Sequence, residues 1–198
     1  MSKAILTSIN PESCKLIVSG EKTFDIRKLK PQLELPFKCY IYCTLSRKLN
    51  HDNEHVIKSP IYIKNGILKY DSDDIDSWEL GNGKIIGEYI CDRIETLFNT
   101  DDSSQYKNNV LLTEFLKNTS TTFEEFQYYV GTRTGKKSIV HGWHISNLKI
   151  YDKPKEFDYF RKPVDCHRGK DHYDCVGCWD CEIKRPPQSW CYIEGSSD

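Results

Sequence analysis

Gly20-Glu21-Lys22-Thr23-Phe24-Asp25-Ile26-Arg27-Lys28 reads as a helix stop that runs at once into a strand. Glycine tolerates the left-handed backbone that ends a helix, and the residues after it alternate with a period of two. In a strand, Lys22, Phe24, Ile26 and Lys28 share one face, while Thr23, Asp25 and Arg27 share the other. Phe24 and Ile26 require a core, so Asp25 and Arg27 point away from it, two apart and placed to pair. Lys22 stands at the turn, where the backbone need not follow the pleat. A basic–acidic–basic set beside a turn suits a polar, phosphate-bearing ligand. The same pattern also fits an edge strand with a solvated charged face.

Upstream, Ala4 to Ile9 reads as a first strand, and Asn10-Pro11-Glu12 as a helix start with a cap, a proline and an acid in the first turn. Downstream, Phe37 to Thr44 alternates as a central strand, with Cys39 and Cys43 as small buried hydrophobes. Ser46 to Ser59 reads as a polar loop whose His51 and His55 are spaced for one helical face. Ile61 to Tyr70 is a hairpin turning at Asn65-Gly66. Asp71 to Asp76 reads as a solvated acidic loop, lacking the glycine and closing glutamate of a calcium loop. Lys84 to Glu95 reads as one long strand, with Gly87 marking a bulge or a close backbone approach. Val110 to Lys117 and Thr122 to Tyr129 are two short helices, the second capped by Thr121 or Thr122. Gly131 to Lys137 is a basic, glycine-containing loop without the phosphate-loop spacing. Gly142 to Tyr151 and Pro186 to Ile193 close the set as strands, with a helical turn over Pro154 to Phe160. This order predicts an α+β fold: a small mixed β-barrel with helices at its mouth.

The chain has 198 residues, enough for one domain, 1–198, with a small insert at 162–184. Its formal net charge of -1 gives no global attraction to nucleic acid, so such binding must come from a local patch. The opening residues do not read as a secretory signal, and no apolar run approaches membrane-spanning length. The expectation is a cytoplasmic chain without a membrane partner. Nine cysteines in that setting mean thiols or metal ligands rather than a disulfide framework.

Their clustering makes the sharper point. Cys166, Cys175, Cys178 and Cys181 have the spacing C-x8-C-x2-C-x2-C. A tetrahedral zinc wants four thiolates, or three and an imidazole, and a two-residue gap lets two sulfurs reach one ion. The intervening residues offer almost no apolar core, so a metal is what would order them. A structural zinc is expected, with His167 or His172 as replacements for Cys166. An iron–sulfur run would continue with a further closely spaced cysteine, and here the next is Cys191.

With these pieces placed, the chain resembles the ASCH domains of the PUA-like superfamily, in the form met in phage and bacterial small proteins. The matching stretches are Ile5 to Glu12, Gly20 to Lys28, Cys39 to Thr44, Gly87-Glu88-Tyr89, Gly142 to Leu148 and Arg185 to Trp190. They leave out the Asn65-Gly66 hairpin and the cysteine-rich insert. The resemblance implies a cleft beside the first helix that accepts RNA or a modified nucleoside. Carried over by motif, Lys22, Asp25 and Arg27 line that cleft, Trp143 and His144 approach from a later strand, and Gln188 and Trp190 from the last. Aromatic planes stack on bases and Lys or Arg hold phosphate. Against this stands the plainer reading of Trp143 and Trp190 as core residues and of His144 as a strand histidine.

Three functions follow as expectations. The first is an RNA- or nucleotide-binding module with zinc as scaffold. The second is a small amidohydrolase, because some relatives resemble enzymes acting on acylated cytidine. Their motif has a threonine where this chain has Asp25, so a Lys22–Asp25 base–acid pair, with Glu88 as a further carboxylate, replaces a hydroxyl nucleophile. The third is a phage-encoded inhibitor that binds a host nuclease such as a CRISPR effector through the knuckle and acidic loops.

Overall fold

A computed structural model describes residues 3–70, 75–99, 110–130, 138–163 and 181–194. In chain order the strands are β1 (Lys3–Ile9), β2 (Phe24–Arg27), β3 (Phe37–Cys43), β4 (Arg47–Leu49), β5 (His55–Ile57), β6 (Ile61–Lys64) and β7 (Ile67–Tyr70). Then come β8 (Glu79–Leu80), β9 (Ile85–Cys91), β10 (Ile94–Asn99), β11 (Ser138–His144), β12 (Ser146–Lys155) and β13 (Trp190–Glu194). Three α-helices lie among the described residues, α1 (Pro11–Val18), α2 (Val110–Asn118) and α3 (Phe123–Val130), and the helical turn expected over Pro154 to Phe160 is a single 3-10 turn, Phe157–Tyr159, because β12 runs on to Lys155. No helix there is long and apolar enough to cross a membrane.

Local chemistry sets the helix ends. Asn10 accepts the Ser13 N–H through its side chain at 2.7 Å, capping α1. Gly20 ends the turn after α1 at φ +78°, a conformation that costs any other residue strain, and its N–H donates to the Ile17 carbonyl at 3.1 Å. At α3 a capping box forms: the Glu125 N–H donates to Thr122 Oγ1 (3.2 Å) and the Thr122 N–H donates to Glu125 Oε2 (2.9 Å).

The chain groups into two compact units. The first comprises Met1–Lys15, Phe37–Tyr89 and Leu148–Asp198. Its five-stranded sheet has the order β12-β9-β3-β1-β13, with β1 parallel to β3 and antiparallel to β13. One face buries Ala4, Leu6, Tyr40, Tyr42, Ile85, Tyr151 and Ile193, closed by Phe160 and Ile183. Cys39 and Cys43 are fully buried on β3, as the alternation predicts. Gly87 is held by a close backbone approach, because a Cβ there would strike the Lys149 carbonyl oxygen. The β6–β7 hairpin turns through Asn65 (φ 51°) and Gly66 (φ 74°), the paired left-handed conformations of a tight hairpin turn.

The second unit comprises Leu16–Pro36 and Ile90–Asn147. Its sheet has the order β10-β11-β2, wholly antiparallel. Leu112, Phe115, Phe126, Val130 and Val140 form its core, with Ile26, Leu97, Leu116 and Phe123 packed against them. Gly142 admits Phe115 against the sheet, since a Cβ there would lie 2.6 Å from its ring.

Four expectations are corrected. Among the described residues the strands form four separate sheets, not one closed barrel. The long strand over Lys84 to Glu95 is two, because the chain leaves one sheet at Cys91 and enters another at Ile94. Gly142 to Tyr151 likewise divides between β11 and β12, parted at Ile145, whose N–H turns to the Thr23 carbonyl at 2.8 Å. The polar loop over Ser46 to Ser59 carries the β4–β5 hairpin, closed by Asn50, whose side-chain oxygen accepts the Asp52 and Glu54 N–H groups. His51 therefore lies in a turn and His55 in a strand, not on one helical face.

Candidate functional site

The stretch Gly20 to Lys28 is built into the second unit at the free edge of its sheet, because β2 pairs only with β11 among the described strands. The turn before β2 is tied down by backbone. The Lys22 N–H donates to the Leu16 carbonyl (2.9 Å), and the Thr23 N–H to the Asn118 carbonyl (2.8 Å). Ser120 adds a side-chain donor to the Glu21 carbonyl at 2.7 Å. The turn thus rests on the C-terminal end of α2.

That contact explains where Lys22 goes. Its ammonium donates to the Thr119 carbonyl at 2.7 Å, at the negative end of the α2 dipole. Lys22 is only 7% exposed. Burial pushes its pKa below the ordinary lysine value; Asp25 and, more weakly, Glu125 oppose that shift, and Arg27 adds to it. Lysine has three donors, and among the described residues only Thr119 takes one.

Asp25 and Arg27 are each 6% exposed, and they pair. Both Arg27 Nε and Nη2 donate to Asp25 Oδ2, each at 2.7 Å. The sequence reading placed this pair correctly on one face but left open a solvated one; that face is buried. The other carboxylate oxygen of Asp25, Oδ1, accepts from no described residue. Lys22 and Arg27 bring two basic groups to one buried acid, Asp25, and Glu125 adds its charge toward Lys22 from the surface. Buried charge is costly unless paired, and two bases around one acid suit a polar, anionic ligand.

Register decides which other residues share this face. Opposite residues of an antiparallel pair lie on the same side of the sheet. Asp25 faces Trp143 and Arg27 faces His141, whereas Phe24 faces His144 and Ile26 faces Gly142. Trp143 therefore joins the Asp25–Arg27 side, where it is fully enclosed at 0% exposure. His141 is on that side too, 2.9 Å from Thr96 Oγ1 through Nδ1; burial first, then the charge of Lys30, lowers its pKa.

His144 lies on the opposite face. Its ring is 5.0 Å from that of Phe24, and the Arg93 guanidinium sits 5.3 Å from Phe24. Its Nδ1 lies 2.6 Å from Asp92 Oδ1, and this hydrogen bond is the main reason the Asp92 carboxyl falls below the usual range. The imidazole is thus held by a carboxylate, with Nε2 turned to no described partner.

At the β2 edge, Tyr129 of α3 donates to the Ile26 carbonyl at 3.3 Å, and Lys28 Nζ lies 5.2 Å from its ring centre. Burial raises the Tyr129 phenol above its ordinary value.

The remaining sequence candidates lie in the first unit. Gln188 is exposed just before β13, after a turn held by Ser8 Oγ on the Pro187 carbonyl at 2.6 Å. Trp190 packs edge-on to Tyr192 at 5.3 Å. Glu88 is engaged by Tyr151 (2.6 Å) and Lys38 (3.4 Å). Of the knuckle, Cys166, Cys175 and Cys178 lie outside the described residues, as do His167 and His172. Cys181 is described: it is buried, and its carbonyl accepts the Lys162 N–H at 2.8 Å. No cluster of three metal-ligating side chains occurs among the described residues.

Sequence reasoning missed Tyr129, His141, Thr119 and Asp92. His141 carried a local signal, since it alternates with Trp143 in a strand. The others are brought in by long-range pairing and carried none.

Comparison with known proteins places the fold. No family model and no curated protein sequence matches the chain. Among solved structures, ASCH from Zymomonas mobilis superposes with a TM-score of 0.51 at 14% identity, covering 96% of this chain and 87% of that one. A tyrosine-to-phenylalanine mutant of the same protein gives 0.52 at 14% identity, covering 98% and 91%. A serine-to-alanine mutant gives 0.51 at 14% identity, covering 96% and 88%. The likeness is one of fold, over nearly the whole chain.

Proposed function

We propose that this chain, which has the ASCH fold, is a nucleic-acid- or nucleotide-binding module whose ligand sits at the β2 edge. The observation that carries the reading is the burial of Lys22, Asp25 and Arg27 together, two basic groups around one acid. In the bound state Lys22 donates to a phosphate or base oxygen and Asp25 Oδ1 accepts from a base or ribose N–H or O–H. Arg27 holds Asp25 in position and supplies the field. The test is fluorescence anisotropy with labelled oligouridylate and with uridine monophosphate, on the wild type and on Lys22→Met. Binding that weakens with salt and drops at least about tenfold in the variant supports the reading, since a hydrogen bond to a charged group contributes about 1.5–3 kcal/mol. Equal affinity in both proteins overturns it.

One observation favours a second reading, hydrolysis of an acylated base or nucleoside. Burial lowers the pKa of Lys22, which enlarges its neutral, basic fraction. As a base, Lys22 would take a proton from water as its oxygen attacks the amide carbonyl; the C–N bond breaks and the amine leaves protonated. Incubation with N4-acetylcytidine and mass spectrometry tests this: release of acetate that vanishes in Lys22→Ala supports it, and an intact substrate opposes it.

The proposal includes a structural zinc held by Cys166, Cys175, Cys178 and Cys181. Its support is the ligand spacing together with the enclosed position of Cys181. Such a site orders its segment and takes no part in chemistry.

A further inference from the structure

The face that holds Asp25 and Arg27 carries one titratable group that the binding reading leaves idle, the His141 imidazole. It stands opposite Arg27 on β2 and opposite Thr96 on β10, so the three side chains form one row across the sheet. His141 is 9% exposed. Opposed residues of an antiparallel pair have Cβ atoms about 4.5–5.5 Å apart, so a protonated ring sets a further cation beside the Arg27 guanidinium. The groups that face it can be named element by element. From β2 come Arg27 and, on the diagonal, Asp25; from the segment after β2 comes the charge of Lys30. On β10, Ile94 and Thr96 face it, and on β11 its neighbours on that side are Ile139 and Trp143. The α2 and α3 core packs on the other face, against Val140 and Ile26. Among the described residues of this sheet face, Asp25 is the one carboxylate, and Arg27 already holds it.

In the unligated protein this row disfavours a charged imidazole, since burial and Lys30 both hold the ring neutral. An anion bound beside Arg27 reverses that balance, because it supplies the negative charge the row lacks. The hydrogen bonding survives the change. Nδ1 lies 2.9 Å from Thr96 Oγ1, and a hydroxyl can donate to the neutral ring or accept from the protonated one. We propose that His141 regulates this site by proton linkage: it takes up a proton as an anionic ligand binds beside Arg27, so that the complex tightens in acid and loosens as the pH rises. This rests on the binding reading above and adds its regulation. Linkage fixes the sign for the fold as well. The folded value lies below the ordinary one of about 6.5, so the unligated protein loses stability as the pH falls from there through the folded value. Ligand raises the folded value and offsets that loss.

The test uses the full chain and a rhodamine-labelled oligouridylate, whose phosphodiesters and whose exposed lysine partners keep their charge between about pH 5.5 and 7.5. Anisotropy at the two ends of that range, at one ionic strength, should show the wild type binding at least about threefold tighter in acid, the share of a one-unit rise in the His141 midpoint that falls there. His141→Gln should keep less than half of that difference. The pH response is what is read, whatever the absolute affinity of the variant. A second measurement needs only the wild type: the proton NMR midpoint of the His141 ring should rise by about one unit on saturation with the oligonucleotide. It decides alone if the variant does not fold. Undiminished acid tightening in a folded His141→Gln, or a His141 midpoint that saturating ligand leaves in place, overturns the linkage while the binding reading stands. Absence of binding at both pH values overturns the binding reading, and the linkage with it.

Discussion

The Asp25–Arg27 pair separates a structural role from a functional one, and its energetics follow from its geometry and burial. Both Arg27 nitrogens lie 2.7 Å from one carboxylate oxygen, and the side chains are 7% and 8% exposed. At an effective dielectric constant of about 20, unit charges at that distance attract by about 6 kcal/mol. Desolvation of several kcal/mol per ion offsets most of this, so the intact pair contributes little net stability. Removing one partner is different, because it strands the other charge in the interior. Arg27→Leu should therefore lose about 3–5 kcal/mol, which at a slope near 3 kcal/mol per molar urea shifts the midpoint by more than about 1 M. Asp25→Leu should cost a similar amount, with Arg27 and Lys22 left as neighbouring cations. The double variant should recover most of the loss, to within about 1–2 kcal/mol of wild type, while losing nucleic-acid binding. Urea unfolding followed by far-ultraviolet dichroism gives all four corners of the cycle. Additive losses in the double variant, or full binding retained in it, would refute the reasoning: the first denies the coupling, the second denies the pair a function.

Three further outcomes are expected. Because Lys22 is driven below the ordinary lysine value by burial, the unfolded chain binds its proton more tightly. Stability should rise with pH from the folded-state pKa up to about 10.4, and oligonucleotide affinity should fall over pH values where exposed lysines are still charged; Lys22→Met should flatten both trends. Asp92 behaves oppositely: its carboxyl is lowered chiefly by His144, so its contribution is present above about pH 3.9 and is lost as pH falls through the lower folded value. In His144→Gln, carbon-detected NMR titration of Asp92 should show a midpoint nearer the ordinary carboxylate; an unchanged midpoint rejects the pairing. Gly142→Ala forces a methyl to within 2.6 Å of Phe115 and 3.0 Å of Phe24, and should cost about 1–3 kcal/mol in thermal unfolding; a neutral result would mean the α2 packing yields more easily than its geometry implies.

What the sequence made legible was local. Asn10, Thr122 with Glu125, Gly20 and the Asn65-Gly66 turn each act within four residues of themselves, and each formed as their chemistry demands. The β2 alternation likewise put Asp25 and Arg27 side by side. What lay beyond reach was set by pairing across long separations. Lys22 meets a carbonyl 97 residues away and His144 a carboxylate 52 away. The placement of His144 opposite Phe24, and so across the sheet from Asp25, depends on a register that no single strand encodes. The break at Asp92-Arg93 was hidden for a related reason. Apolar residues flank it on both sides, so the strand signal runs through while the backbone leaves one sheet for another.

The most direct measurement is a two-dimensional amide NMR titration of the full chain with oligouridylate. The account predicts shift changes centred on Lys22 to Lys30, with Thr119 and Tyr129 moving in the same titration. Saturable shifts confined to other segments, such as the β4–β5 hairpin, with Lys22 to Lys30 unmoved, would contradict it.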